Sequence, residues 1–111
     1  MKVKTVTSYY ARIKGLLGTR QHQLDFDALH IIPCKGIHTF GMKYAIDLAF
    51  LDAQGKVISL RTNIAPNRVC PSPLGTKSVL ERPAGKAFWL SPGDYIASSI
   101  EHVIESEKTK E

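Results

Sequence analysis

Ile46-Asp47-Leu48-Ala49-Phe50-Leu51 is an apolar run with one carboxylate inside it, closed by Asp52-Ala53-Gln54-Gly55. The run is too short for a core helix and is apolar on both alternating faces. It therefore predicts a central strand buried on both sides. Asp52 to Gly55 is a turn, with Gly55 suited to positive φ. Lys56 to Thr62 follows as the hairpin partner, with Val57 and Ser59 alternating against Ile58 and Leu60.

The rest of the chain is cut into short pieces of the same kind. Val3 to Tyr10 is rich in Val, Thr and Tyr and reads as a strand. Leu29 to Ile32 is a strand stopped by Pro33, Ile37 to Phe40 is extended, and Gly41 marks a bend. Lys77 to Arg82 is a further strand, and Tyr95 to Ile100 the last. Ile13, Leu16 and Leu17 have helical spacing, but Gly15 and Gly18 limit that stretch to one or two turns. Pro83 to Leu90 suits one short helical turn with Pro83 at its start. Pro66, Pro71 and Pro73 make Ile64 to Gly75 an irregular connection, either a lid or a plain link. The expected fold class is mainly β: a sandwich or small barrel of antiparallel or mixed strands with one or two short helical turns. Residues 1–104 form one domain and 105–111 a polar tail.

Charge narrows the function classes. Residues 1–86 carry 13 Lys/Arg and 5 Asp/Glu, a difference of +8, while residues 87–111 carry 2 and 5, a difference of −3. The cations are dispersed, with no basic block and no nucleic-acid module, so solubility accounts for them and nucleic acid is set aside as a partner. Two cysteines are too few for a disulfide scaffold. Met1 to Ser8 lacks the apolar segment of a signal peptide, and no stretch approaches the roughly 18 apolar residues of a membrane span. A cytoplasmic setting is the simplest expectation.

Several phrases occur together in order. Arg12-Ile13-Lys14-Gly15-Leu16-Leu17-Gly18 resembles R-x-x-G-L-[ML]-x. Phe40-Gly41-Met42-Lys43-Tyr44-Ala45-Ile46-Asp47 resembles aromatic-x-M-K-x-x-I-D. Phe50-Leu51-Asp52-Ala53-Gln54-Gly55-Lys56-Val57 resembles F-L-D-x-x-G-x-V, and Val79-Leu80-Glu81-Arg82-Pro83-Ala84-Gly85 resembles V-L-E-[LV]-P-A-G, followed by Gly93-Asp94. In order and spacing they resemble the bacterial and archaeal domain of unknown function family 192, over residues 11–96. The resemblance implies a mostly-β domain and no defined activity. Many relatives look exported. Arg82 stands where the family pattern is more often apolar, and Gly41 where a Trp is common.

The residues that could carry chemistry cluster near the central strand. Cys34, His38 and Met42 form C-x-x-x-H-x-x-x-M, a soft donor set of the kind copper prefers, with zinc as a second possibility. Spacing of four along an extended chain places them about 13 Å apart per step, so Cys70 or His30 would have to complete a metal site. Cys34 with His38 could also serve as nucleophile and base. Asp47 cannot be buried ionised without partners, so it must meet backbone N–H groups, His38, or an arginine such as Arg68. The structural reading makes it an anchor for the Ile64–Gly75 loop; the functional one makes it a ligand-binding carboxylate. Phe88-Trp89 beside Lys86 reads first as core and second as a stacking surface.

No cofactor is implied by these patterns. The leading expectation is a small non-catalytic binding or accessory module for an unidentified protein or small molecule. Its surface would be formed by His38, Met42, Asp47 and Arg68, within Cys34–Met42 and Ile64–Gly75. The alternative is a small metal protein or enzyme centred on Cys34, His38, Asp47 and Cys70. Convergence separates the two: an enzyme needs His38, Asp47 and a cysteine around one concave space.

Overall fold

A computed structural model describes residues 2–7, 15–16, 18–20, 24–34, 36–85 and 87–96, and the main chain of 101–105. Among the described residues the chain forms eight strands: β1 (Lys2–Val6), β2 (Ala28–Ile31), β3 (Gly36–His38), β4 (Ile46–Leu51), β5 (Val57–Ile64), β6 (Val69–Pro71), β7 (Ser78–Pro83) and β8 (Glu101–Glu105). Six build one sheet in the order β5-β4-β7-β2-β1-β8, and β3 pairs with β6 in a separate ribbon. The large sheet is mixed: β1 runs parallel to both β2 and β8, while the β2–β7, β4–β7 and β4–β5 pairs are antiparallel. The fold is mainly β.

The central strand is where the sequence places it. Every residue of β4 is buried, because alternate side chains go to opposite sides of a sheet that is covered on both. Ile46, Leu48 and Phe50 join Val6, Leu29, Ile31 and Val79 in one core cluster. Ile37 and Cys70 of the β3–β6 ribbon close that side, together with Leu16. Ala49 and Leu51 join Val3, Ala28, Val57 and Leu80 in a second cluster. Leu90, Ile96 and half-buried Trp89 of the segment after β7 close the other side. The two clusters give the sheet an apolar layer on each side. Among the described residues, no helix is long and apolar enough to cross a membrane.

The β4–β5 turn is built as expected. Asp52 Oδ1 accepts from the N–H groups of Gln54 and Lys56, both at 2.9 Å, and Gly55 has φ +80. Such an Asx turn satisfies two backbone N–H groups that a tight reversal would otherwise leave to water.

Four local expectations are corrected. Pro83 ends β7 rather than starting a helical turn, and the described residues 84–85 and 87–90 are non-helical. Pairing explains this: Ala84 N–H donates to the Ala45 carbonyl, and the Ala87 carbonyl is taken by Arg82. The Ile64–Gly75 connection contains β6, whose Pro71 sits at the strand end, opposite Gly36, where a missing N–H costs little. Tyr95 forms an isolated bridge to Lys56 outside the named strands, and the last strand lies at Glu101–Glu105. Gly15 and Leu16 form a turn rather than a helix, with Thr19 N–H bonded to the Leu16 carbonyl. Residues 11–14 and 17 of the expected 11–20 element, Ser8 to Tyr10 of the first strand and residues 97–100 lie outside the described residues.

Candidate functional site

Asp47 owes its environment to a bulge. Ile46 pairs with Ile64 and Leu48 with Arg61, so Thr62 and Asn63 together stand opposite Asp47. An extra residue in one strand of a pair leaves a backbone group without its ladder partner. Asn63 takes φ +53, a region asparagine tolerates, and its N–H donates to Asp47 Oδ1 at 2.8 Å. The carboxylate thus satisfies the group the bulge releases.

Its second oxygen meets a cation. Asp47 lies directly across from Arg82 of β7, whose Nε–H donates to Oδ2 at 2.9 Å. Both residues are buried. Two unlike charges out of water hold together only when their remaining groups are also satisfied. Arg82 Nη2 donates to the Ala87 carbonyl at 2.7 Å, and the guanidinium lies 4.4 Å over the Trp89 ring. Cation–π contact of this kind strengthens when it is desolvated. The chain of contacts runs from the β5 bulge through Asp47 and Arg82 to the segment after β7.

These residues wall an open cleft of about 520 Å³, lined among others by Leu60, Asn63, Phe88 and Trp89. Phe88 is 79% exposed at its rim. The indole Nε1 of Trp89 is buried with no hydrogen-bond partner among the described residues. A mostly apolar concavity with a few placed polar groups is the usual form of a small-molecule seat.

The structure divides the sequence-selected residues into two groups. Asp47 is in the cleft. Cys34, His38, Met42, Arg68 and Cys70 belong to the ribbon and its connections, on the far side of the main sheet. Arg68 is therefore not the partner of Asp47; it is exposed, and Arg82 fills that role. Asp47 anchors Asn63, one residue before the Ile64–Gly75 stretch. His38 is exposed and stacks on Phe40, with ring centroids 5.5 Å apart. Cys70 is buried beneath the ribbon, Met42 is half-buried against the same core, and half-buried Cys34 donates its thiol hydrogen to the Gly36 carbonyl. Cys34 and Cys70 are not joined in a disulfide. Among the described residues, no three His, Cys, Asp or Glu side chains are placed to hold one metal ion.

Sequence reasoning passed over a second buried carboxylate. Glu81 precedes Arg82 and points to the opposite face of the sheet. Burial pushes its pKa up to about 7, against the pull of a hydrogen bond from the Leu16 backbone. Gly15, at φ +49, lets the chain pass close: a Cβ there would lie 3.1 Å from Glu81 Oε1. Burial also raises the Tyr44 pKa, its hydrogen bond with Thr19 pulls the other way, and the Glu81 charge adds a smaller upward push. The Thr19 and Tyr44 hydroxyls are 2.6 Å apart. His30 is buried too, with Nε2 2.9 Å from Ser78 Oγ and Nδ1 3.3 Å from Thr5 Oγ1. The signal for Glu81 was the same as for Asp47, a carboxylate among apolar strand residues.

The family called DUF192, described as Uncharacterized ACR, matches residues 1–98. The chain belongs to this family. A UPF0127 protein of Thermococcus sibiricus is 27% identical over 113 residues, covering 97% of this chain and 70% of the relative. Among solved structures, a Sinorhizobium meliloti protein provisionally described as a transcription regulator superposes with TM-score 0.71 at 22% identity, covering 84% of this chain and 78% of that one. A Novosphingobium aromaticivorans protein of unknown function gives TM-score 0.64 at 19% identity, covering 75% of this chain. Here the match spans 63% of the Novosphingobium chain. These likenesses establish the fold and the DUF192 membership.

Proposed function

We propose that this DUF192 domain is a non-catalytic binding module whose ligand seat is the cleft beside Trp89. The observation that carries the reading is the buried Asp47–Arg82 pair, which forms the cleft wall while stacking on the indole. Both carboxylate oxygens of Asp47 already accept from protein donors. It is therefore placed to position groups rather than to take a proton from a substrate. The opposed charges cancel at short range, so the wall offers polarity without net charge. Leu60, Phe88 and Trp89 supply apolar and aromatic surface. That combination suits a neutral small molecule with a flat apolar face.

Trp89 is the one tryptophan of the chain, so its emission reports on the cleft directly. Titration with a panel of neutral aromatic and saccharide fragments is expected to change that emission saturably for at least one fragment. Phe88→Ala should weaken the binding about tenfold, the value of one aromatic contact, while costing no more than about 0.5 kcal/mol of stability. A panel that leaves Trp89 emission unchanged, or binding that is the same in Phe88→Ala, would contradict the proposal.

A further inference from the structure

The ribbon on the other side of the sheet presents a second surface. Thr39 is fully buried and clamps the two ribbon segments together. Its hydroxyl donates to the Ala65 carbonyl and accepts from Arg68 N–H, each at 2.8 Å. Its own N–H bonds the Arg68 carbonyl, and its carbonyl accepts from Asn67 and Met42. Around this fixed point stand exposed side chains. Phe40 is 50% exposed and stacked on His38, and Val69 is 66% exposed and directly across the ribbon from His38. Apolar groups held outward by a rigid, hydrogen-bonded support are an ordered surface rather than an incidental one.

Charge indicates what covers it. Residues 34–45 and 64–77, which form the ribbon and its flanks, contain Lys35, Lys43, Arg68 and Lys77 and no Asp or Glu. Arg68 and Lys43 are exposed. Among the described residues β3 and β6 pair only with one another, so each has an edge along which an extended chain can lie. One face of Phe40 is already covered by His38, and Val69 is aliphatic. That surface suits apolar side chains better than a row of stacked bases.

We infer that the β3–β6 face is a docking surface for an extended acidic polypeptide segment. The segment's Leu or aromatic side chains pack on Phe40 and Val69, and its carboxylates pair with Arg68 and Lys43. The surface is separate from the Trp89 cleft and does not depend on it.

A random peptide library displayed on phage, selected against the protein and counter-selected against Phe40→Ser/Val69→Ser, tests this. Both substituted side chains are exposed, and retained thermal stability would show that the double variant folds. Enriched peptides should combine Asp or Glu with Leu or aromatic residues. A fluorescein-labelled copy of the most enriched peptide should bind at least about tenfold more weakly to Arg68→Glu and to Phe40→Ser. Phe88→Ala, in the cleft, should bind it normally. Absence of enrichment, enrichment without acidic residues, or equal binding to Arg68→Glu would overturn the inference. So would tighter, Phe40-dependent binding of a labelled single-stranded oligothymidylate, which would assign the face to nucleic acid.

Discussion

Asp47 and Glu81 are each 4% exposed and lie on adjacent strands, yet the sheet treats them in opposite ways. Asp47 faces the Trp89 side, where Arg82 and a bulge N–H compensate its charge. Glu81 faces the side of Leu16 and Tyr44, where desolvation outweighs the Leu16 hydrogen bond and favours the neutral acid. Equal burial therefore does not give equal chemistry. The compensated carboxylate can stand at the edge of a cleft as a fixed charge. The other takes a proton more readily and bonds the Leu16 backbone to the sheet.

The largest expected effect breaks the compensated side. Asp47→Ala leaves the Arg82 cation buried and unpaired, and should cost about 3–5 kcal/mol in urea unfolding. Replacing both, as Asp47→Ala/Arg82→Met, should cost less than the sum of the two single changes, since the pair acts as a unit. Additive losses would show that the two groups do not interact.

The Glu81 side sharpens the comparison through pH. Its folded pKa of about 7 lies above the 4.5 of an exposed glutamate. The unfolded chain therefore releases the proton first as pH rises. Stability is full below the unfolded value and falls between about pH 5 and pH 7, by on the order of 3 kcal/mol at most. Urea midpoints measured for the wild type and for Glu81→Gln should coincide near pH 4.5 and separate by pH 8, with the glutamine variant the more stable. Separation in the other direction would mean that the ionised form is the one the fold holds.

A smaller loss is expected at Gly15. Gly15→Ala demands a positive φ of a residue with a Cβ and sets that atom 3.1 Å from Glu81 Oε1. Thermal denaturation should show a loss of about 1–2 kcal/mol. The smallest effect on stability is expected at Phe88, where Phe88→Ala should stay within about 0.5 kcal/mol because the ring is mostly exposed.

The same pair of residues shows what could be read from the chain. The β4–β5 hairpin was legible because its alternation and its Asp52–Gly55 turn are local. That Asp47 needed donors was legible too, since a carboxylate in a two-face apolar strand has no solvent. Its cation was not, because choosing Arg82 over Arg68 requires the β4–β7 register, a pairing 35 residues apart along the chain. The bulge at Asn63 was hidden for the same reason. Cys34–Met42 and the 64–75 connection do come together, as the ribbon, but Asp47 is on the far side of the sheet from them. Residues spaced close along a chain can still be sent to opposite faces by one strand, and residue spacing alone does not record which.

The most direct test of the central claim is the Trp89 indole N–H resonance, a single cross-peak of a ¹⁵N-labelled sample, followed during titration with the neutral fragment that most changes Trp89 emission. This peak is expected to move together with the Asn63 amide and the Arg82 side-chain Nε–H, while the amides of His38, Thr39 and Arg68 stay in place. Movement confined to the ribbon, with the indole unchanged, would contradict it.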